Sequence, residues 1–180
     1  MSEMVEVVID SIRVSLMNQQ RIVILREVDA ERYLAIWIGV YEAEHLTIAL
    51  QDVEVSRPLT YDLFTNVIES LNAEVSHIEV VSLRDETFYG NVVLNANGSV
   101  INIDSRPSDA MNLAVRSDVP ILVSREVMDS AGIVPDDDEV SIDDMEEVEA
   151  SAGKEDERLS IFEDFLDKLD IDDAADEESE

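Results

Sequence analysis

The stretch from Asn97 to Val123 constrains the fold more than any other part of the chain. Asn97-Gly98 sits between two alternating apolar runs and predicts a tight hairpin, because a type I′ turn needs positive φ at both central residues. Ser99–Asp104 (SVINID) then reads as a strand with Val100, Ile101 and Ile103 apolar. Ser105-Arg106-Pro107 turns the corner, and Ser108-Asp109 opens a helix whose apolar positions are Ala110, Leu113 and Ala114. Proline suits a first helical turn, where its missing N–H would lack a partner anyway. Ser108 and Asp109 there can accept the unpaired backbone donors and complement the positive end of the helix dipole. Pro120–Val123 (PILV) follows as a short apolar strand. With only one helix in the connection, it should run parallel to the Asp104 strand through a right-handed crossover. Ligands of such folds commonly bind where a strand ends and a helix begins.

The remaining periodicities fill in a mixed α/β (α+β) class. Val5–Ser15, Arg21–Glu27 and Tyr33–Ile38 alternate, with turns at Asn18–Gln20 and Asp29–Arg32, and predict an antiparallel meander. Tyr41–Gln51 changes to helical spacing, with Leu46, Ala49, Leu50 and Val53 on one face. A second helix follows Ser56-Arg57-Pro58, with Leu59, Leu63, Phe64, Val67, Ile68 and Leu71 as its apolar side and Thr60 or Asp62 at its start. Val75–Leu83 and Phe88–Leu94 are strands, and Arg125–Ala131 is a short helix closed by Gly132. The expected architecture is one compact domain, residues 1–135, with a mixed parallel and antiparallel sheet flanked by helices. Beyond it, residues 136–154 read as an acidic disordered linker. Residues 155–171 read as an amphipathic helix with Leu159, Phe162, Leu166 and Leu169 in one stripe, and 172–180 as a disordered acidic terminus.

Charge and composition narrow the function. Residues 1–134 carry 21 acidic and 9 basic side chains, residues 135–180 carry 22 and 3, and the formal net charge is −31. Every basic residue before the tail is Arg; the first Lys is Lys154. Such a surface suits a salt-loaded interior, where screening removes its self-repulsion. A halophilic source is therefore expected, and the melting temperature should rise from low to molar KCl; a flat series of thermal melts would remove the expectation. A duplex-binding protein neutralises phosphates with a basic patch. No Lys/Arg cluster stands here, so any nucleic acid must be held by a few Arg and by metal ions. With no Cys, disulfides, thiolate metal sites and Cys nucleophiles are excluded. No apolar run approaches the ~20 residues of a membrane span, and the acidic, alternating N-terminus does not resemble a signal peptide. A cytoplasmic protein without membrane contact is the expectation.

Catalytic candidates are few. His45, mid-helix, and His77, inside a strand, have no Ser nucleophile or second ligand at metal spacing and read as surface or packed residues. Trp37 reads as core. What remains is a carboxylate–arginine set: Glu42, Arg57, Asp62, Asp104, Arg106 and Asp109, with Thr60, Tyr61 and Ser108 beside them. Carboxylates are the ligands that Mg²⁺ or Mn²⁺ prefers, and Arg grips a phosphate bidentately. A metal-assisted phosphodiester hydrolase needs those parts and no histidine. The same residues also suit two capped turns in which Arg57 pairs with Asp62 and Arg106 with Asp109. The spacing alone leaves both readings open.

Three separated motifs carry a resemblance. Trp37-Ile38-Gly39 is followed by Glu42-Ala43. Arg57-Pro58-Leu59-Thr60-Tyr61-Asp62-Leu63 comes next. Asp104-Ser105-Arg106-Pro107-Ser108-Asp109-Ala110, with Leu113-Ala114 and Arg116, completes the set. In order and spacing, over roughly residues 5–133, the chain resembles the bifunctional nuclease domain family. The resemblance implies a compact mixed α/β domain that hydrolyses DNA and RNA. It departs from the family at Tyr61, where His is common, and at His45, where relatives tend to be small or apolar. On this reading Asp104, Asp109, Asp62 and Tyr61 are catalytic. Arg57, Arg106, Thr60 and Ser108 bind substrate, and Glu42, Asp104 and Asp109 hold a divalent Mg²⁺ or Mn²⁺. The rival reading is a non-catalytic regulatory domain that binds a nucleotide, another anion or a protein at the same cluster. A homo-oligomer and a protein partner for the 155–171 helix complete the expectations. Asp104, Arg106 and Asp109 should face Arg57 and Asp62 across one cleft.

Overall fold

The computed structural model describes residues 3–15 and 20–134. The chain divides between Pro135 and Asp136. The readings at 136–154, 155–171 and 172–180, and most of the Asn18–Gln20 turn, lie outside the described residues.

The meander is present as β1 (Met4–Val14), β2 (Arg21–Glu27) and β3 (Tyr33–Ile38), each antiparallel to the next. Helices α1 (Val40–Leu50) and α2 (Thr60–Ser70) follow. Then β4 (Ala73–Arg84), β5 (Thr87–Ala96) and β6 (Ser99–Ser105) form a second antiparallel run. Asn97 and Gly98 have φ of 51° and 81°, the pair of positive values that the hairpin requires. Helix α3 (Pro107–Ser117), β7 (Ile121–Ser124) and α4 (Arg125–Ala131) complete the domain.

All seven strands join one mixed sheet in the order β3-β2-β1-β7-β4-β5-β6. β7 closes it by pairing antiparallel with β1 and parallel with β4. It runs parallel to β6, as the sequence implies, but is not its neighbour: the connection through α3 passes over β5 and β4. That passage lays α3 across the middle of the sheet. Ala110, Met111, Leu113 and Ala114 of α3 pack on Ile78, Val80, Val92 and Leu94 in one core. Gly90 sets how closely β5 approaches the start of α3. A Cβ there would stand 3.1 Å from the Glu79 carbonyl oxygen, 3.3 Å from that of Ser105 and 3.4 Å from Pro107 Cα. Glycine is thus needed for the corner that delivers Arg106.

Three packing expectations change. On α1 the buried side chains are Ala43 and Leu46, whereas Leu50 and Val53 are exposed. Trp37 is half-buried rather than core. On α2 only Tyr61 is buried, with Ile68 partly so, and Leu63, Phe64, Val67 and Leu71 face outward. α2 meets α3 and β4 on its Tyr61–Ile68 side. The sheet ends at β6. No helix among the described residues is long and apolar enough to cross a membrane.

Candidate active site

A cleft of about 600 Å³ opens between α1, α2 and the β6–α3 corner. Its polar wall holds Glu42, Thr60, Tyr61, Asp104, Arg106 and Asp109, and its apolar wall includes Phe64, Val67, Ile68, Val92 and Ile103. Six of the nine predicted site residues therefore share one cavity.

Arg106 is the hub. It precedes the first turn of α3, where Pro107 starts the helix. Its Nε donates to Asp109 Oδ2 at 2.7 Å and its Nη2 to Asp109 Oδ1 at 3.0 Å. Nη2 also donates to Glu42 Oε1 at 2.7 Å. Asp109 first and Glu42 second raise the guanidinium pKa further above its ordinary value. The side chain is nonetheless 64% exposed. Nη1 has no side-chain partner among the described residues and remains available to a ligand. Glu42 can fold back toward Arg106 because Gly39 precedes the helix; a Cβ at position 39 would collide with the Glu42 carboxylate.

Tyr61 arrives from α2 and donates its hydroxyl to Asp109 Oδ1 at 2.7 Å. Burial, then the hydrogen bond to Asp109, push the phenol pKa well above its ordinary value. Tyr61 is thus a proton donor at neutral pH and does not act as a phenolate base. Asp109 accepts from Arg106 and Tyr61 together and makes no side-chain cap to the α3 backbone. The capping role expected of Asp109 is replaced by its bonds to Arg106 and Tyr61, and Ser108 shows no side-chain cap. Asp104, at the end of β6, lines the cleft, is exposed and has no side-chain hydrogen bond or ion pair among the described residues.

The three other predicted residues lie outside the cleft lining. Asp62 faces Arg116: Arg116 Nε donates to Asp62 Oδ1 at 2.7 Å, and Leu59 N–H to Asp62 Oδ2 at 2.7 Å. Burial pulls the Asp62 carboxyl up, but the Leu59 N–H and the Arg116 guanidinium outweigh it and leave the pKa below its ordinary value. Arg57 is exposed in the loop before α2. Ser108 is buried, and its carbonyl accepts from Asn112 Nδ2 at 3.0 Å. The expected Arg57–Asp62 pair is not formed, because Arg116 reaches Asp62 from α3.

Sequence reading missed three participants. Asn112 is fully buried and ties α3 to α1 by donating Nδ2 to the Glu42 carbonyl at 3.0 Å. Arg116 joins three helices: Nη1 donates to the Asn112 carbonyl, Nη2 to the His45 carbonyl at 3.1 Å, and the head stands over the Tyr61 ring at 5.4 Å. His45 lines the cleft edge-on to Tyr61, with ring centroids 5.4 Å apart, and its buried Nδ1 has no partner among the described residues. The available signals were that Arg116 belongs to the third motif of the resemblance and that His45 departs from the family; Asn112 carried none.

The donor set does not fit a bound divalent ion as arranged. Glu42 and Asp109 are both neutralised by Arg106. Among the described residues no three His, Asp or Glu side chains converge as a metal-holding group.

Comparison with known proteins identifies the lineage. Residues 23–136 match the profile of the bifunctional nuclease domain. An uncharacterized protein of Mycobacterium tuberculosis is 35% identical over 168 residues, which cover 93% of this chain and 96% of that one. Bifunctional nuclease 2 of Oryza sativa subsp. japonica is 32% identical over 118 residues, 64% of this chain and 36% of the rice protein. Bifunctional nuclease 2 of Arabidopsis thaliana is 31% identical over 91 residues, 49% and 28% of the two chains. The chain therefore belongs to the bifunctional nuclease domain family.

Proposed function

We propose that the domain hydrolyses phosphodiester bonds of DNA, RNA or both at the Glu42–Arg106–Asp109–Tyr61 cleft. The observation that carries the reading is Arg106, a guanidinium fixed on one edge by two carboxylates and open on the other. Held this way it is preorganised for the charge that develops on a phosphate in the transition state. Asp109 takes a proton from water as the water oxygen bonds to phosphorus, and the leaving nucleotide oxygen departs with a proton from solvent. Tyr61 keeps Asp109 aimed. Thr60 supplies a second donor at the cleft, and Asp104, free of other partners among the described residues, orients the water. Arg57 meets phosphates beyond the cleft. Asp62 and Ser108 act by positioning, through Arg116 and Asn112 respectively. Names of the plant relatives support this reading, as does the family.

The test is an assay of purified protein in molar KCl on labelled single-stranded DNA and RNA, with chelator in one arm and Mn²⁺ or Mg²⁺ in the other. The Asp104→Ala/Asp109→Ala variant should lose hydrolysis at least 100-fold, and equal activity of variant and wild type would assign the cleavage to a contaminant or to a different site. Turnover in chelator supports the arginine-centred site. Turnover only with the ion supports the divalent reading, in which Glu42, Asp104 and Asp109 would hold the metal and it would activate the attacking water. A second reading, nucleotide or anion binding without turnover, is favoured by the phenol at position 61, which stays protonated. Oligonucleotide binding with no product in either arm would support it.

A further inference from the structure

The two edges of the sheet are finished differently. At β3 the edge is partly closed: Tyr33 and Ile133 exchange backbone hydrogen bonds of 2.8 and 2.7 Å. At β6 the outer edge has no strand partner among the described residues. Natural edge strands are usually protected by Lys, Pro, a bulge or brevity. β6 has seven residues, SVINIDS, no Lys or Pro, one charge, and an uninterrupted register with β5.

An apolar surface continues from that edge. Ile101 and Ile103 stand opposite Leu94 and Val92 of β5, on the face that carries the helices. Phe64 and Val67 of α2 line the same cleft as Ile103. Leu63 and Leu71 extend the α2 stripe, and Leu71 is 69% exposed. Together these six side chains expose on the order of 600 Å² of apolar surface, approaching the ~800 Å² per partner of a stable interface before the β6 backbone is counted. That is at the upper end of the largest apolar patch a typical monomer exposes, the size that often marks an interaction site.

We propose that β6 pairs antiparallel with β6 of a second copy of this chain, continuing the sheet across a two-fold axis, with the α2 stripes covering the joint. The strand is self-complementary. A register centred on Asn102 sets Ile101 of each copy against Ile103 of the other, and the unpaired backbone groups of both edges satisfy one another. The proposal does not rest on the nuclease reading, although Ile103, Phe64 and Val67 line the cleft as well as the joint. Because each chain is strongly acidic, association should strengthen with salt.

Sedimentation velocity of the full chain in molar KCl tests it. The wild type should sediment as a dimer of the 20.2 kDa chain at micromolar concentration. Ile101→Glu and Leu71→Glu should each weaken association at least 100-fold without changing the circular dichroism spectrum. Val14→Glu, at an exposed apolar position on β1, should leave the dimer intact. A gain-of-signal arm uses the absence of Cys. Directly opposed strand residues have Cα atoms ~4.5–5.5 Å apart, within disulfide range. Asn102→Cys should therefore oxidise to a covalent dimer, and Asn95→Cys on the neighbouring strand should not. A wild type that is monomeric throughout, or a dimer that survives both Glu variants with Asn102→Cys uncrosslinked, overturns the proposal.

Discussion

Replacing Arg116 by Leu is expected to destabilise the domain by about 3 kcal/mol, the scale of removing one partner from a buried ion pair. For a domain of this size that lowers the melting temperature by roughly 10 °C. The Arg116 side chain is 9% exposed and Asp62 30%, so the pair sits mostly out of solvent. Leucine fills part of the volume but leaves Asp62 without its guanidinium and the His45 carbonyl and Asn112 Oδ1 without a donor. α2 is held to α3 largely through this contact and Tyr61, so the loss falls on the helix that forms one wall of the cleft. Acid should reveal the same pair. The fold lowers the Asp62 pKa, so its stabilisation is complete above the unfolded carboxyl value and fades as pH falls through the folded one. The gap in stability between wild type and Arg116→Leu should therefore narrow below about pH 4. Urea denaturation at pH 7 and pH 3.5 measures it; a constant gap would mean that Arg116 stabilises by packing alone.

Arg106→Lys should behave in the opposite way. Hydrolysis is expected to fall by about 10²–10³-fold, the cost of losing one preorganised transition-state donor. Stability should move by less than about 1 kcal/mol, because the side chain is largely in solvent. Lysine keeps the charge but loses the fork: one ammonium cannot bond both Asp109 oxygens and Glu42 while still presenting a free N–H edge. The measurement is kcat on a single-stranded oligonucleotide beside a thermal melt of the same preparation. Unchanged turnover with an intact fold would remove Arg106 from the site. The two arginines stand ten positions apart, one just before α3 and one in its last turn, and exposure separates a structural strut from a functional head.

Much of this was legible locally. The Asn97-Gly98 hairpin, the Pro107 helix start and the three-strand meander follow from φ preferences and from periods of 2 and 3.6, which short segments carry themselves. The Arg106–Asp109 bond was legible for the same reason, since the two residues are one helical turn apart. Asp62 was not: by spacing its neighbour was Arg57, yet Arg116, 54 positions away, claims it. Periodicity also showed that α2 has an apolar face without showing whether anything covers it.

The sequence by itself determined the elements, the mixed α/β class, the acidity and the family motifs, because each depends on neighbours within a turn or a strand. Tertiary structure alone decided which carboxylates meet which cations. Glu42 and Arg106 are 64 residues apart and Tyr61 and Asp109 are 48 apart. They meet only because β7 inserts between β1 and β4 and carries α3 across the sheet. Strand order is a global choice, made by total burial of apolar surface, and no local pattern encodes it. The same choice left β6 at the edge and Leu71 in water.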